Sequence, residues 1–208
     1  MVYKNFYLRI IFSLIIFIIY LFSMQDLNYL FILGMSIYIL IIIEIFKYFK
    51  KLLFTILFYL FFSFISFYLY IFYNFDLYIF NLLIFVIISF DTFSFFAGIL
   101  FGKRYIFKLI SPNKTLEGYL GGIIMTNTFY IIYSYLSDDY FGKIYYFFLI
   151  NFIIIFASIG DLLQSYFKRK NLIKQSSAFL PGHGGFFDRF DSFVCSIIFM
   201  TLISYLFL

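Results

Sequence analysis

Charge is what this sequence has least of. Only 12% of its 208 residues are Asp, Glu, Lys or Arg, and 65% are hydrophobic. A soluble domain carries about 25% charged residues, so a soluble fold is excluded. A single cysteine, Cys195, rules out an intrachain disulfide; in a late apolar run it reads as packing. A single histidine with no cysteine partners argues against zinc. Tryptophan is absent and there are two prolines beside 37 Phe and 21 Tyr. That bias fits AT-rich coding and says nothing about the fold. Period-2 alternation of the outer-membrane barrel type is missing, which leaves helices as the spanning element. No small-residue cleavage site follows the first apolar run, so it reads as a retained helix and not a signal peptide. No repeat, soluble tail or long linker interrupts the chain.

What is present is a series of apolar runs of about 20 residues, enough to cross roughly 30 Å of hydrocarbon as helices. Seven are expected, near 6–24, 27–45, 52–73, 77–99, 119–137, 144–163 and 189–208. The fold class is therefore all-α, a polytopic transmembrane bundle. The connections alternate in charge. Lys4 and Arg9, then Lys47, Lys50 and Lys51, then Lys103, Arg104, Lys108 and Lys114, then Lys168, Arg169, Lys170, Lys174 and Arg189 fall on one side. Of the 15 Lys and Arg residues only Lys143 falls on the other. The positive-inside rule places the basic side and the N-terminus in the cytoplasm. The net charge of +5 thus reflects basic loops, and no nucleic-acid partner is expected.

Polar chemistry is confined to a few places. Asp91, with Thr92 and Ser94, lies inside the fourth run, where an ionisable group costs at least about 2.5 kcal/mol and is functional or paired within the bundle. The loop 100–118 carries Ser111-Pro112-Asn113, a turn signal, then Lys114-Thr115 before a helix opening at Gly118, Gly121 and Gly122. A lysine before a helix start suits phosphate or an anionic lipid headgroup. Such glycines admit close approach of a ligand or of a second helix. The spacing is not that of a Walker loop.

The densest stretch is Gly160–Ser192. Asp161, Ser165 and Lys168 share one helix face if the sixth helix continues. Asp188 and Asp191, three apart, share a face of the last. Between them runs Pro181-Gly182-His183-Gly184-Gly185, a glycine run able to turn N–H groups inward as an anion nest. Carboxylates from two helix ends, a nest and several cations suit a metal-bound polyphosphate, since Mg²⁺ takes one or two protein carboxylates plus phosphate oxygens. His183 could be a ligand, a phosphate contact or a turn residue.

The order S-x-x-K-R-x(4)-K-x(6)-P-G-H-G-G-x-x-D-R-x-D, from Ser165 to Asp191, resembles the signature of the phosphatidate cytidylyltransferases, or CDP-diacylglycerol synthases. Gly160-Asp161-Leu162, Asp91-Thr92 and Ser111-Pro112-x-Lys114-Thr115-x-Glu117-Gly118 are similar to that family's pattern as well. The resemblance covers about 86–208; the first half matches only as generic membrane helices. It implies condensation of CTP with phosphatidate to CDP-diacylglycerol and pyrophosphate with Mg²⁺, by a homodimeric multi-pass enzyme of the bacterial inner (plasma) membrane whose site faces the cytoplasm. It implies Asp161 and Asp188 as the metal-binding acids, with Lys168 and Arg169 catalytic beside them. Lys114, Ser111, Asp91, Ser165, Lys174, Gly182, His183, Gly184, Gly185, Arg189 and Asp191 would contact substrate. Asp91 would hold a second, monovalent cation or orient a lysine. Residues 1–76 would be structural or dimerising helices, and 77–208 catalytic, with motif loops 100–118 and 164–188. There are two departures. Gln175 follows Lys174 where the family has Asp, and the chain is shorter than most members, by about two N-terminal spans. The alternatives are a related CTP-dependent lipid transferase, a small transporter and a non-catalytic subunit.

Overall fold

The computed structural model describes residues 14–136, 143–177, 179 and 184–207. Its helices are α1 (Leu14–Ser23), α2 (Leu27–Tyr48), α3 (Leu53–Tyr73), α4 (Leu77–Phe101), α5 (Leu116–Leu136), α6 (Lys143–Lys170) and α7 (Phe187–Phe207). Helices α2, α3, α4 and α6 are long and apolar enough to cross a membrane. Helices α5 and α7 match α3 in length, at 21 residues each, but carry more polar side chains. The first expected span, 6–24, falls on α1 and on residues outside the described part.

Local chemistry sets several boundaries. Asp26 accepts the Asn28 N–H (2.7 Å) ahead of α2, and Asp76 accepts the Ile79 N–H (3.0 Å) ahead of α4, as N-caps do. Thr115 Oγ1 accepts the Gly118 N–H (3.2 Å) at the start of α5. The expected sixth span ends near 163, yet α6 runs two turns further. It stops in a Schellman turn: Ile173 N–H donates to Lys168 C=O and Leu172 N–H to Arg169 C=O (both 3.1 Å). Leu172 occupies the left-handed position (φ 57°) where glycine is usual, so no glycine marks this helix end.

One addition to an all-α expectation is a short antiparallel hairpin, β1 (Tyr105–Phe107) with β2 (Ser111–Thr115), in register Tyr105 to Thr115 and Phe107 to Ser111. Its turn is at Lys108–Ile110 and not at Ser111-Pro112-Asn113 as expected. Pro112 sits within a strand of a two-stranded ribbon, where a missing N–H can face outward.

The chain forms two compact units, 1–75 with 166–208, and 76–165. In the first unit α2, α3 and α7 are stitched by small polar groups. The Tyr38 and Ser63 hydroxyls pair (2.5 Å), Ser63 Oγ donates to Val194 C=O (2.7 Å), and Thr201 Oγ1 donates to Ser66 C=O (3.0 Å). Asn171, just past α6, fastens the α2–α3 turn: its Oδ1 accepts the N–H of Lys50 (2.8 Å) and Lys51 (2.6 Å). In the second unit, Gly118, Gly121 and Gly122 of α5 lie against Gly98, Ala97 and Ser94 of α4. The α5 glycines therefore serve helix contact, the small-residue packing that replaces a hydrophobic driving force in lipid. Asn127 and Asn151 exchange side-chain hydrogen bonds (3.2 and 3.1 Å) between α5 and α6. Large apolar side chains such as Phe54, Phe61 and Ile88 point outward, as lipid-facing helices require.

Candidate active site

The expected residues gather in each unit around a lysine–carboxylate pair. In the second unit, Lys114 from the end of β2 pairs with Asp161 of α6. Both side chains are about three-quarters buried, at 23% and 25% exposure. The Lys114 ammonium also lies 5.5 Å from the centre of the Tyr119 ring, a cation–π distance. Asp91 is within electrostatic reach of the Tyr119 hydroxyl. The backbone that presents Lys114 is held in turn: Glu117 Oε2 accepts the N–H groups of Lys103 (2.9 Å) and Arg104 (3.0 Å). Those two N–H groups hold the Glu117 carboxyl below the usual carboxylate range. Ser111 opens β2, half-buried, at the far end of the strand from Thr115.

In the first unit, Lys168 Nζ donates to Asp188 Oδ1 at 2.8 Å, with exposures of 14% and 12%. Asp188 Oδ2 accepts the N–H groups of Ser176 (2.8 Å) and Gly185 (3.3 Å). A first-turn acid of α7 thus ties the motif loop to the helix start and meets the positive end of the helix dipole. Gly184 takes φ +85°, and a Cβ there would lie 2.8 Å from Asp188 Oδ2. Only glycine meets both demands. Asp191 is buried one turn further on, where its Oδ1 accepts the Ser192 N–H (2.7 Å).

Helix α6 is continuous through Asp161, Ser165 and Lys168, so the three share a helix face as expected. Ser165 is buried, whereas Arg169, Lys174, Gln175 and Arg189 are exposed. Gly182 and His183 lie outside the described residues. Asp91 is exposed on α4 and does not sit deep among side chains.

One functional candidate escaped the sequence reading. Glu44, near the end of α2, is fully buried, and its Oε2 accepts the N–H of Phe186 (2.8 Å) and Phe187 (3.4 Å) at the start of α7. The signal was available: Glu44 is an acid within an apolar run, as Asp91 is.

Among the described residues no group of three or more His, Cys, Asp or Glu gathers as a cage for a metal. Two of the expected acids, Asp161 and Asp188, each stand beside a lysine. That set suits a hard cation that brings phosphate oxygens as its remaining ligands.

The chain was compared with known proteins. A sequence profile of the cytidylyltransferase family matches residues 2–207. The chain is 38% identical over 117 residues to the phosphatidate cytidylyltransferase of Bacillus subtilis (strain 168), which is 56% of this chain and 44% of that protein. It is 43% identical over 105 residues to the phosphatidate cytidylyltransferase of Staphylococcus haemolyticus (strain JCSC1435), 50% of this chain and 40% of that protein. The matched stretch therefore spans less than half the length of each relative. The chain belongs to the cytidylyltransferase family.

Proposed function

We propose that this member of the cytidylyltransferase family condenses CTP with phosphatidate at a membrane, giving CDP-diacylglycerol and pyrophosphate. The observation that carries the reading is the pair of largely buried carboxylates, Asp161 and Asp188, each held by a lysine, in a chain that matches the family over nearly its whole length. An oxygen of the phosphatidate phosphate attacks the α-phosphorus of CTP, and the bond from that phosphorus to the β-phosphate oxygen breaks. The nucleophile is already anionic at neutral pH, so no strong base is required. The difficulty is repulsion between two polyanions.

Asp161 and Asp188 are the residues that would hold Mg²⁺. When bound, the ion supplies positive charge at the phosphates and offsets that repulsion. Lys114 and Lys168, each beside one of these acids, would bind phosphate oxygens, and Arg169 would add a planar donor fork next to Lys168 in sequence. Carboxylate–lysine pairs thus keep the buried charges compensated before substrate arrives. Backbone N–H groups at Gly182–Gly185 would stabilise departing pyrophosphate. Catalysis is positioning plus charge stabilisation, as in phosphoryl transfer generally.

Seven spans with a cytoplasmic N-terminus would set the basic loops and both pairs on the CTP side of the plasma membrane, beside the lipid phosphate. The reading includes a homodimer, and a second, monovalent cation near Asp91. The test is incubation of membranes carrying the chain with labelled CTP and phosphatidate, with and without Mg²⁺. Formation of CDP-lipid that requires both substrates and the metal supports the reading. Labelled product from a different lipid acceptor alone would favour a related CTP-dependent transferase, and no product at all would overturn both.

A further inference from the structure

We infer that Glu44, from the N-terminal helices, is a positioning residue for Asp188. The inference rests on the reading of Asp188 as a metal-binding acid. Glu44 stands 142 residues before Phe186, yet its Oε2 takes that residue's N–H at 2.8 Å and the Phe187 N–H at 3.4 Å. Asp188 takes the N–H groups of Ser176 and Gly185 from the same segment. The N–H groups of three consecutive residues, Gly185 to Phe187, are thereby bound by two carboxylates, one from outside the segment and one from Asp188 just after it. The N–H groups at 186 and 187 belong to the opening turn of α7, which has no intrahelical partner for them. Without Glu44 they would be buried donors with nothing to bond, and the turn that aims Asp188 would be free to shift.

The fit around Glu44 is close on its other side. Its Oε1 and the Ser176 hydroxyl both occupy the space a Cβ would take at Gly185. Both Glu44 and Ser176 are fully buried. Gly185 therefore lets the backbone close onto the Glu44 carboxylate, and any side chain there would push the two apart. An ionisable residue so deep in an apolar helix is costly. Nothing in helix packing alone calls for it, because a leucine at 44 would serve α2 better. Backbone anchoring of the metal-binding acid accounts for it.

The test uses the full chain in lipid nanodiscs, with Glu44→Gln, Glu44→Leu and Gly185→Ala beside the wild type. The first readout is amide hydrogen exchange over 184–188 without substrate. Loss of the carboxylate acceptor should speed exchange at 186 and 187 by roughly tenfold to a hundredfold in Glu44→Leu. Gln, whose carbonyl can still accept, should restore most of the protection. The second readout is CTP turnover against Mg²⁺ concentration. Glu44→Leu should lower kcat and raise the Mg²⁺ concentration for half-activation, with KM for phosphatidate unchanged. Gly185→Ala, which keeps Glu44 but displaces it, should shift both readouts in the same direction, so the idea stays testable if Glu44→Leu fails to fold. Wild-type exchange at 186–187 in Glu44→Gln and in whichever of the other two variants folds, or an unaltered Mg²⁺ requirement, would overturn the assignment. Absence of turnover in the wild type would sink the proposed function instead, and the exchange data would still decide whether Glu44 holds this segment.

Discussion

Asp188→Asn separates folding from chemistry. In the folded chain Asp188 accepts hydrogen bonds from Lys168 Nζ at 2.8 Å on one oxygen, and from the N–H groups of Ser176 at 2.8 Å and Gly185 at 3.3 Å on the other. An asparagine oxygen can keep the two backbone donors. Its amide NH₂ must then face the Lys168 ammonium, donor against donor. The loss is one charge-assisted hydrogen bond in a site with 14% and 12% side-chain exposure, worth about 1.5–3 kcal/mol. This falls below the roughly 3–5 kcal/mol of a fully broken buried pair, because the lysine stem can carry its charge toward water. For a chain of this size the expected drop in Tm is roughly 3–12 °C. Against a typical stability of about 5–15 kcal/mol, nearly all the protein stays folded. Activity should respond far more strongly. Removing one preorganised charge from the reacting centre costs about 10²–10³ in kcat. The assay pairs CDP-lipid formation in membranes with a thermal melt of the purified protein. Turnover within about threefold of wild type, in protein that melts a few degrees lower, would refute the metal role of Asp188.

Lys114→Ala should raise KM for the anionic substrates with a smaller effect on the melt, since the Asp161 side chain is a quarter exposed and can reach water; an unchanged KM for both substrates would count against phosphate binding. Gly121→Val should unseat α5 from α4, because even a Cβ at 121 falls on the Ala97 methyl, and overpacking of this kind costs about 1–3 kcal/mol. A thermal melt unchanged from wild type would contradict that packing. Glu117 is held ionised by the Lys103 and Arg104 N–H groups, so its folded pKa is depressed. Its contribution is present above the ordinary glutamate value of about 4.3 and is lost as pH falls through the lower folded value. Protection of those two amides, once corrected for intrinsic exchange, should therefore fall in acid for the wild type and be flat with pH in Glu117→Gln.

The ends of α2, α3 and α4 were legible because Asp26, Asp76 and the basic turns punctuate long apolar runs. The motif residues were legible because charge is so scarce that each ionisable side chain stands out. The far end of α6 was not, since Leu172 closes it in a conformation that sequence assigns to glycine. Nor was the hairpin at Tyr105–Thr115, whose turn forms at Lys108–Ile110 while the proline sits in a strand. Sequence alone determined that the chain is helical and membrane-adapted, and that its few acids and lysines cluster in the motif stretches. Those properties follow from hydrophobic run length and from the cost of charge in lipid, both local quantities. Only the tertiary structure decided that Lys114 takes Asp161, that Lys168 takes Asp188, and that Glu44 reaches the start of α7. Those partnerships join residues between 20 and 143 positions apart, and a buried carboxylate accepts whichever donors the packing of helices brings within about 3 Å.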